Sequence, residues 1–125
     1  MTQTLEFDEF VAEAKRLVRS GKYTEARDAY QQAEKIEPDS TVVLHGLGTV
    51  CFLLGDFPEA IDYYRKVNQT DPLRGAAFIN LGAVYNRSGR YEEATKVLRR
   101  GIRLDPDRAE GHFNLGIAHK NLGQR

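Results

Sequence analysis

The chain has 125 residues, enough to build one hydrophobic core but too few for two. Its formal net charge is zero, which argues against nucleic-acid binding through bulk electrostatic attraction. The net charge of zero conceals an asymmetry. Residues 1–62 carry 6 Lys or Arg and 12 Asp or Glu, whereas residues 63–125 carry 12 Lys or Arg and 6 Asp or Glu.

The N-terminal residues and the single cysteine give information on the cellular compartment of the protein. The sequence does not start with a basic segment followed by an apolar one, as a signal peptide would. The longest apolar run, Val50 to Leu54, is far too short to span a membrane. Cys51 has no second cysteine to pair with, which is compatible with a reducing compartment. We therefore expect a cytoplasmic protein.

Four sets of residues recur through the chain with a period of 34. A period in this range indicates stacked supersecondary units, each of which buries its apolar face against its neighbours. We expect a single domain, residues 1–125, with units at about 7–40, 41–74 and 75–108 and a partial unit at 109–125. The four sets are Gly21, Gly55, Gly89 and Gly123; Pro38, Pro72 and Pro106; Tyr23, Phe57 and Tyr91; and Ala26, Ala60 and Ala94.

The first unit begins with a helix that departs from the pattern of the later ones. Glu13 stands where the corresponding helices carry Leu47, Leu81 and Leu115. A polar residue at a core position suits a terminal helix that has a neighbour on only one side. We interpret this helix as a solubilising cap.

The second unit explains why each unit is predicted to be a helical hairpin. Apolar residues between Leu44 and Leu54 recur at spacings of three and four, which marks one face of a helix. Gly55 tolerates the positive φ that ends many helices, and Pro58 suits the first turn of a second helix. That second helix should end before Pro72, because the residue preceding a proline disfavours helical backbone. No segment of the sequence predicts a strand.

The third unit pairs small residues with large ones across its two helices. Gly82 belongs to a set of small residues at equivalent positions, and Leu98 belongs to a set of large ones. Such alternation lets two helix backbones approach and their side chains interdigitate. There are two sets of small residues, Ala14, Gly48, Gly82 and Gly116 and then Ala26, Ala60 and Ala94, and two sets of large ones, Phe10, Leu44 and Phe78 and then Tyr30, Tyr64 and Leu98.

The second helix of the third unit also carries a stripe of basic residues. We interpret this stripe as a solvated outer face. The alternative is a site for an anionic partner such as RNA or membrane phosphate, but no aromatic residues interleave the stripe, so we expect no nucleic-acid partner. The stripe comprises Lys96, Arg99, Arg100 and Arg103.

The partial unit places histidines at two core positions. His112 and His119 are seven residues apart on one helix face, which favours a polar cap. The alternative is half of a metal site, but the unit offers no further ligands, and we expect no metal. The chain stops at Arg125, where a second helix would begin. Either it is a fragment of a longer array or its last helix is a cap, and both interpretations stay open.

The repeat length and the alternation of small and large residues resemble the tetratricopeptide repeat. The resemblance runs from about Phe7 to the C-terminus, as three full repeats plus the first helix of a fourth. Stretches such as Asn80-Leu81-Gly82 look typical of bacterial-type members. The resemblance implies an all-α fold, a right-handed α-solenoid of stacked antiparallel helical hairpins whose first helices line a concave groove. It also implies a role in protein–protein recognition.

Residues one step round from the core face of each first helix are predicted to point into this groove. This groove wall mixes apolar and polar side chains, and soluble proteins seldom leave such apolar area uncovered without a partner. The alternative is that the residues simply pack between neighbouring helices. The predicted groove wall comprises Val11, Lys15, Val42, His45, Thr49, Phe52, Ile79, Asn80, Ala83, Asn86, Phe113, Asn114, Ile117 and Lys120, and the same faces add Asp8, Val18, Ala76 and Glu110.

Two ligand modes of family members can be compared with this wall. Some chaperone-binding members hold a C-terminal carboxylate with Lys, Asn and Arg side chains, and on the second to fourth units the matching positions retain only Asn80. That clamp is therefore absent. The other mode is an asparagine ladder that binds a peptide main chain, as in the glycosyltransferase that modifies nucleocytoplasmic proteins. The positions of that ladder hold Ala12, Gly46, Asn80 and Asn114 in this chain, so half of the asparagines are present.

The sequence contains no motif of reactive chemistry, such as a Gly-rich phosphate loop, a paired-cysteine motif or a nucleophile elbow. We therefore expect a non-catalytic scaffold that binds a partner peptide or helix in the groove and needs no cofactor. One alternative is a self-assembling head-to-tail scaffold, in which the acidic half of one molecule meets the basic half of another. A secretion-type chaperone is a second alternative, and binding of an anion or RNA is a third.

Overall fold

The computed structural model describes residues 2–123 of the chain. Within that range it contains seven α-helices and no strand. The predicted all-α class of helical hairpins is therefore confirmed. The helices are α1 (Thr2–Arg19), α2 (Tyr23–Ile36), α3 (Thr41–Leu53), α4 (Phe57–Thr70), α5 (Gly75–Arg87), α6 (Tyr91–Leu104) and α7 (Ala109–Gly123).

The turn inside each hairpin is built on a glycine with positive φ. Gly55 has φ 82°, which a residue without a Cβ adopts at little cost. Its N–H donates to the Phe52 carbonyl at 3.0 Å, and the Asp56 N–H donates to the Cys51 carbonyl at 2.8 Å. These two bonds satisfy carbonyls that the end of α3 leaves unpaired. The same pair of bonds recurs at Gly21 and Gly89.

The remaining boundaries also follow from local chemistry. Pro58 lies in the first turn of α4, where its missing N–H costs nothing. α4 ends at Thr70, two residues before Pro72, as predicted. The Ser40 side chain caps α3 by accepting a hydrogen bond from the Val43 N–H at 3.4 Å.

The described chain divides into two compact units, Met1–Tyr63 and Tyr64–Arg125, and the division falls within α4. In the first unit, α1, α2 and α3 enclose a core that includes Leu17, Val43 and Leu47. Tyr30 of α2 packs against the backbone of Gly46 in α3, where an added Cβ would overlap the tyrosine ring. A side chain larger than hydrogen at Gly46 would therefore displace Tyr30.

In the second unit, α5 packs on α6, and α7 packs on both. Leu98 of α6 lies directly against Gly82 of α5, where an added Cβ would overlap its side chain. This contact realises the predicted pairing of a small residue with a large one. Val84 and Tyr85 of α5 are also buried.

Two statements about the extent of the chain stay predictions. The single-domain organisation with repeat limits at residues 40, 74 and 108 is one of them. The observed α1 begins at Thr2, earlier than the predicted first unit. The prediction that the chain stops at Arg125 in a turn falls outside the described residues.

Candidate functional site

The first unit presents its part of the groove wall on α1 and α3. Val42 is 44% exposed and Lys15 is exposed, whereas Val11 is buried in the core. His45, Thr49 and Phe52 of α3 are half-buried. The first unit therefore offers a mixed surface of a cation, an imidazole, a hydroxyl and two apolar side chains.

Local contacts hold two of these side chains. The Thr49 hydroxyl donates to the His45 carbonyl one turn earlier at 3.1 Å. The Phe52 ring lies 6.0 Å from the ring of Phe57, centroid to centroid, at an interplanar angle of 48°. Tilted aromatic pairs at this distance are favourable, and the contact joins the last turn of α3 to the first turn of α4.

The second unit corrects the prediction for Ile79. This side chain is only 1% exposed. It packs against Gly101 of α6 and Gly111 of α7, where an added Cβ would lie 2.7 Å from Ile79 Cγ1 and 3.1 Å from Ile79 Cδ1, respectively. Ile79 is therefore a packing residue between helices and presents no surface to a partner, which is the alternative that the sequence left open.

Asn86 is a second buried member of the predicted wall, at 8% exposed. Its side-chain Nδ2 donates to the backbone carbonyl of Asn114 at 2.9 Å, which joins α5 to α7. Its Oδ1 is buried without a hydrogen-bond partner among the described residues. The side chain thus positions α7 rather than facing outward.

One asparagine of the half-ladder is hydrogen-bonded within its own helix. The Asn114 side-chain Nδ2 donates to the Glu110 carbonyl at 2.9 Å. Asn114 and Asn80 are both half-buried. One of the two amide hydrogens of Asn114 is therefore already used within α7. Ala83, between Asn80 and Asn86 on α5, is half-buried as well.

α7 carries the most open part of the wall. Phe113 is 69% exposed, Lys120 is exposed and Ile117 is half-buried. No atom lies within 4 Å of the position that a Cβ on Gly116 would occupy. Phe113 is the repeat equivalent of the buried Ile79, so the same position is covered on α5 and uncovered on α7.

The basic stripe on α6 and the buried thiol of Cys51 lie outside the predicted wall. The four residues of the basic stripe on α6 are exposed, and the Arg100 guanidinium lies 5.5 Å from the centroid of the Phe78 ring. Cys51 is fully buried, and burial, aided by the nearby Glu59 carboxylate, raises the pKa of its thiol to about 11. A thiol so poorly ionised at neutral pH is a weak nucleophile.

The histidines of α7 lie on an exposed face. His112 Nε2 lies 2.8 Å from the Pro106 carbonyl oxygen, which can only accept, so this nitrogen donates. Across residues 2–123 no three His, Cys, Asp or Glu side chains converge as metal ligands would. In the same range no helix is long and apolar enough to cross a membrane.

Comparison with protein-family models identifies the fold family. The model described as "Tetratricopeptide repeat" matches residues 11–74, just over half of the chain. The chain belongs to the tetratricopeptide repeat family. A second model, described as "TPR repeat", matches residues 82–123. A search of curated proteins found no match.

Solved tetratricopeptide repeat structures share the fold of this chain. The Sgt2 TPR domain from Aspergillus fumigatus superposes with a TM-score of 0.90 over 95% of this chain and 80% of its own length, at 20% identity. The first TPR of Spaghetti (RPAP3), bound to the HSP90 peptide SRMEEVD, gives 0.90 over 95% and 94%, at 22% identity. An O-GlcNAc transferase mutant from Thermobaculum terrenum gives 0.87 at 26% identity. The match covers 94% of this chain but only 23% of the transferase chain.

Proposed function

We propose that this tetratricopeptide repeat chain is a non-catalytic protein-interaction module. Its first helices would bind a partner peptide or helix through the exposed part of the wall. The observation that carries the proposal is the exposure of two bulky apolar side chains at wall positions, Val42 at 44% and Phe113 at 69%. Polar wall residues lie on the same helices, His45 and Thr49 on α3 with Val42 and Lys120 on α7 with Phe113, which suits recognition that combines apolar contact with hydrogen bonding.

Two observations on relatives support a protein partner. The first TPR of Spaghetti (RPAP3) is bound to an HSP90 peptide, and the second TPR domain of human RPAP3 is in complex with an HSP70 peptide. At 22% and 14% identity these structures share the fold of this chain, and that likeness does not identify the ligand of this chain. Because the carboxylate clamp is absent, we expect this chain to bind a different peptide.

The test is a peptide selection followed by measured affinities. Peptides selected on the wild-type chain from a random displayed library are assayed by fluorescence anisotropy. We expect Val42→Ser or Phe113→Ser to weaken binding about tenfold, since burying one such side chain contributes roughly 1.5 kcal/mol. The matched control is Leu73→Ser, which removes a 75% exposed leucine from outside the wall.

Three outcomes decide the test. Loss of affinity in a wall variant with Leu73→Ser unchanged supports the proposal. Equal loss in all three variants, or no selected peptide that depends on the wall, overturns it. The peptide SRMEEVD is expected not to bind, and tight binding that depends on its C-terminal carboxylate would contradict the absence of the clamp.

A further inference from the structure

α7 exposes a face with the spacing of a helix–helix seam. Glu110, Phe113, Ile117 and Lys120 follow one another at intervals of three, four and three, which places them in one row along the helix. The two middle residues are apolar and the two outer residues carry opposite charges. Glu110, Phe113 and Lys120 are exposed, and Ile117 is half-buried.

One edge of this face, beside Gly116, is left uncovered by the described residues. Gly116 lies beside the row, and no atom comes within 4 Å of the Cβ position there. At the equivalent Gly82 of α5, Leu98 occupies that space. Because the backbone at Gly116 is bare, a second helix can approach α7 as closely as α6 approaches α5.

We propose that α7 pairs with α7 of a second copy of the chain, antiparallel about a two-fold axis that crosses the row midway between Phe113 and Ile117. In that arrangement Phe113 of each copy packs on Ile117 of the other, and Glu110 pairs with Lys120 twice. The face is complementary to itself, because apolar residues meet apolar residues and each charge meets its opposite. An isologous interface requires this property. This inference rests on the proposed function: the second copy occupies the part of the wall around Phe113, so a peptide that binds at Phe113 competes with the dimer.

α1 of a second copy is the competing occupant, as in the head-to-tail assembly predicted from the sequence. Its residues at the positions of the buried Val43, Leu47 and Val50 are polar. Two of them, Glu13 and Arg16, already pair with each other, with Arg16 Nη2 at 2.5 Å from Glu13 Oε1. On this face of α1 only Leu5, 62% exposed, is a large apolar side chain, so α1 offers less apolar surface than the pair Phe113 and Ile117.

Charge and size set the strength of the contact. The second compact unit carries a net charge of +6, so two copies repel each other at low salt, and screening relieves that repulsion. α7 has 15 residues and is about 22 Å long, so a single helix pair lies at the small end of stable interfaces. We expect a dimer that dissociates in roughly the micromolar range.

Charge swaps on α7 test the arrangement in sedimentation experiments over a wide range of protein concentration. Glu110→Lys or Lys120→Glu places like charges opposite each other, and each is expected to raise the dimer dissociation constant at least tenfold. The double swap, with both charges exchanged, restores the dimer. The control Arg99→Glu changes the net charge as Lys120→Glu does, at an exposed site on α6, and should leave the dimer intact.

Mixing separates the two-fold dimer from head-to-tail assembly. Equal amounts of the Glu110→Lys and Lys120→Glu variants should form a heterodimer, because each then supplies the charges that the other lacks. Circular dichroism checks that every variant stays helical. A monomer at all concentrations and salt levels overturns the inference, as do open chains that weaken with added salt. A monomeric chain whose peptide binding still depends on Val42 overturns this inference alone and leaves the proposed function standing.

Discussion

Gly82 and Gly116 occupy the same repeat position in opposite surroundings. An added Cβ at Gly82 would overlap Leu98, whereas at Gly116 it would meet nothing within 4 Å. The need for a residue without a side chain therefore comes from the neighbouring helix and not from the helix that carries the glycine. Both positions are helical, so their intrinsic helix propensities are comparable.

Alanine substitution at the two glycines should change stability in different directions. Gly116→Ala gains helix propensity and should stabilise the fold by up to about 1 kcal/mol. Gly82→Ala gains the same propensity but must displace Leu98, which costs about 1–3 kcal/mol. Urea unfolding followed by circular dichroism measures the difference between the variants, which isolates that cost. Equal stability changes in the two variants would contradict the close contact.

The Cys51 thiol makes the stability of the fold sensitive to alkaline pH. Burial raises its pKa from 9.0 to about 11, so the folded state favours the protonated form. The resulting stabilisation is complete below about pH 9 and is lost as the pH rises towards 11, at up to about 1.4 kcal/mol per pH unit. Burial also raises the pKa of Tyr30 and Tyr63, and these two groups stay in every variant compared.

We therefore expect wild-type stability to fall more steeply than that of Cys51→Ala between about pH 9 and 10.5. The measurement is urea unfolding at a series of pH values. Because Cys51→Ala also leaves a small cavity, the slopes are compared and not the absolute stabilities. Parallel slopes would mean that the thiol titrates as it does in the unfolded chain.

At the scale of the helices, the hairpin turn was predictable because its chemistry is local. Gly55 is required by its own φ and Pro58 by its own missing N–H, so neighbours along the chain suffice to identify them. The ends of α3 and α4 followed from these residues and from Pro72. The spacing of apolar residues then identified the buried face of each helix.

Substitutions at Gly55 test whether the turn depends on backbone conformation alone. No atom lies within 4 Å of a Cβ added there, so steric contact with neighbours is not a factor. Gly55→Ala must hold φ near 82° and should lose about 1–2 kcal/mol. Gly55→Asn should lose less, since asparagine enters this region more readily. Thermal or urea unfolding of the two variants provides the comparison, and an alanine variant as stable as wild type would refute the argument.

At the scale of the whole molecule, the candidate site was less predictable than the fold. Ile79 and Phe113 hold the same repeat position, yet one is 1% and the other 69% exposed. Periodicity along one helix identifies a face, but the elements that cover that face belong to other parts of the chain. The glycines at positions 101 and 111, where the preceding repeats have Val67 and Ala77, are the signal that could have revealed the burial of Ile79.

The net charge of zero also hides an organisation that appears only at this scale. The reversal from acidic to basic falls at the division between the compact units, Met1–Tyr63 at −6 and Tyr64–Arg125 at +6. A partner therefore meets surfaces of opposite sign on the two units. Added salt should therefore weaken the binding of a cationic partner to the acidic first unit and of an anionic partner to the basic second unit.

The burial of Cys51 gives the first unit a built-in probe of its own opening. The chain has one cysteine, so an alkylating reagent added under native conditions can react only after the structure around that thiol has opened. Circular dichroism averages over all helices, whereas the alkylation rate reports the first unit alone. Comparing the denaturant dependence of the two signals distinguishes an array whose units open one at a time from one that unfolds only as a whole.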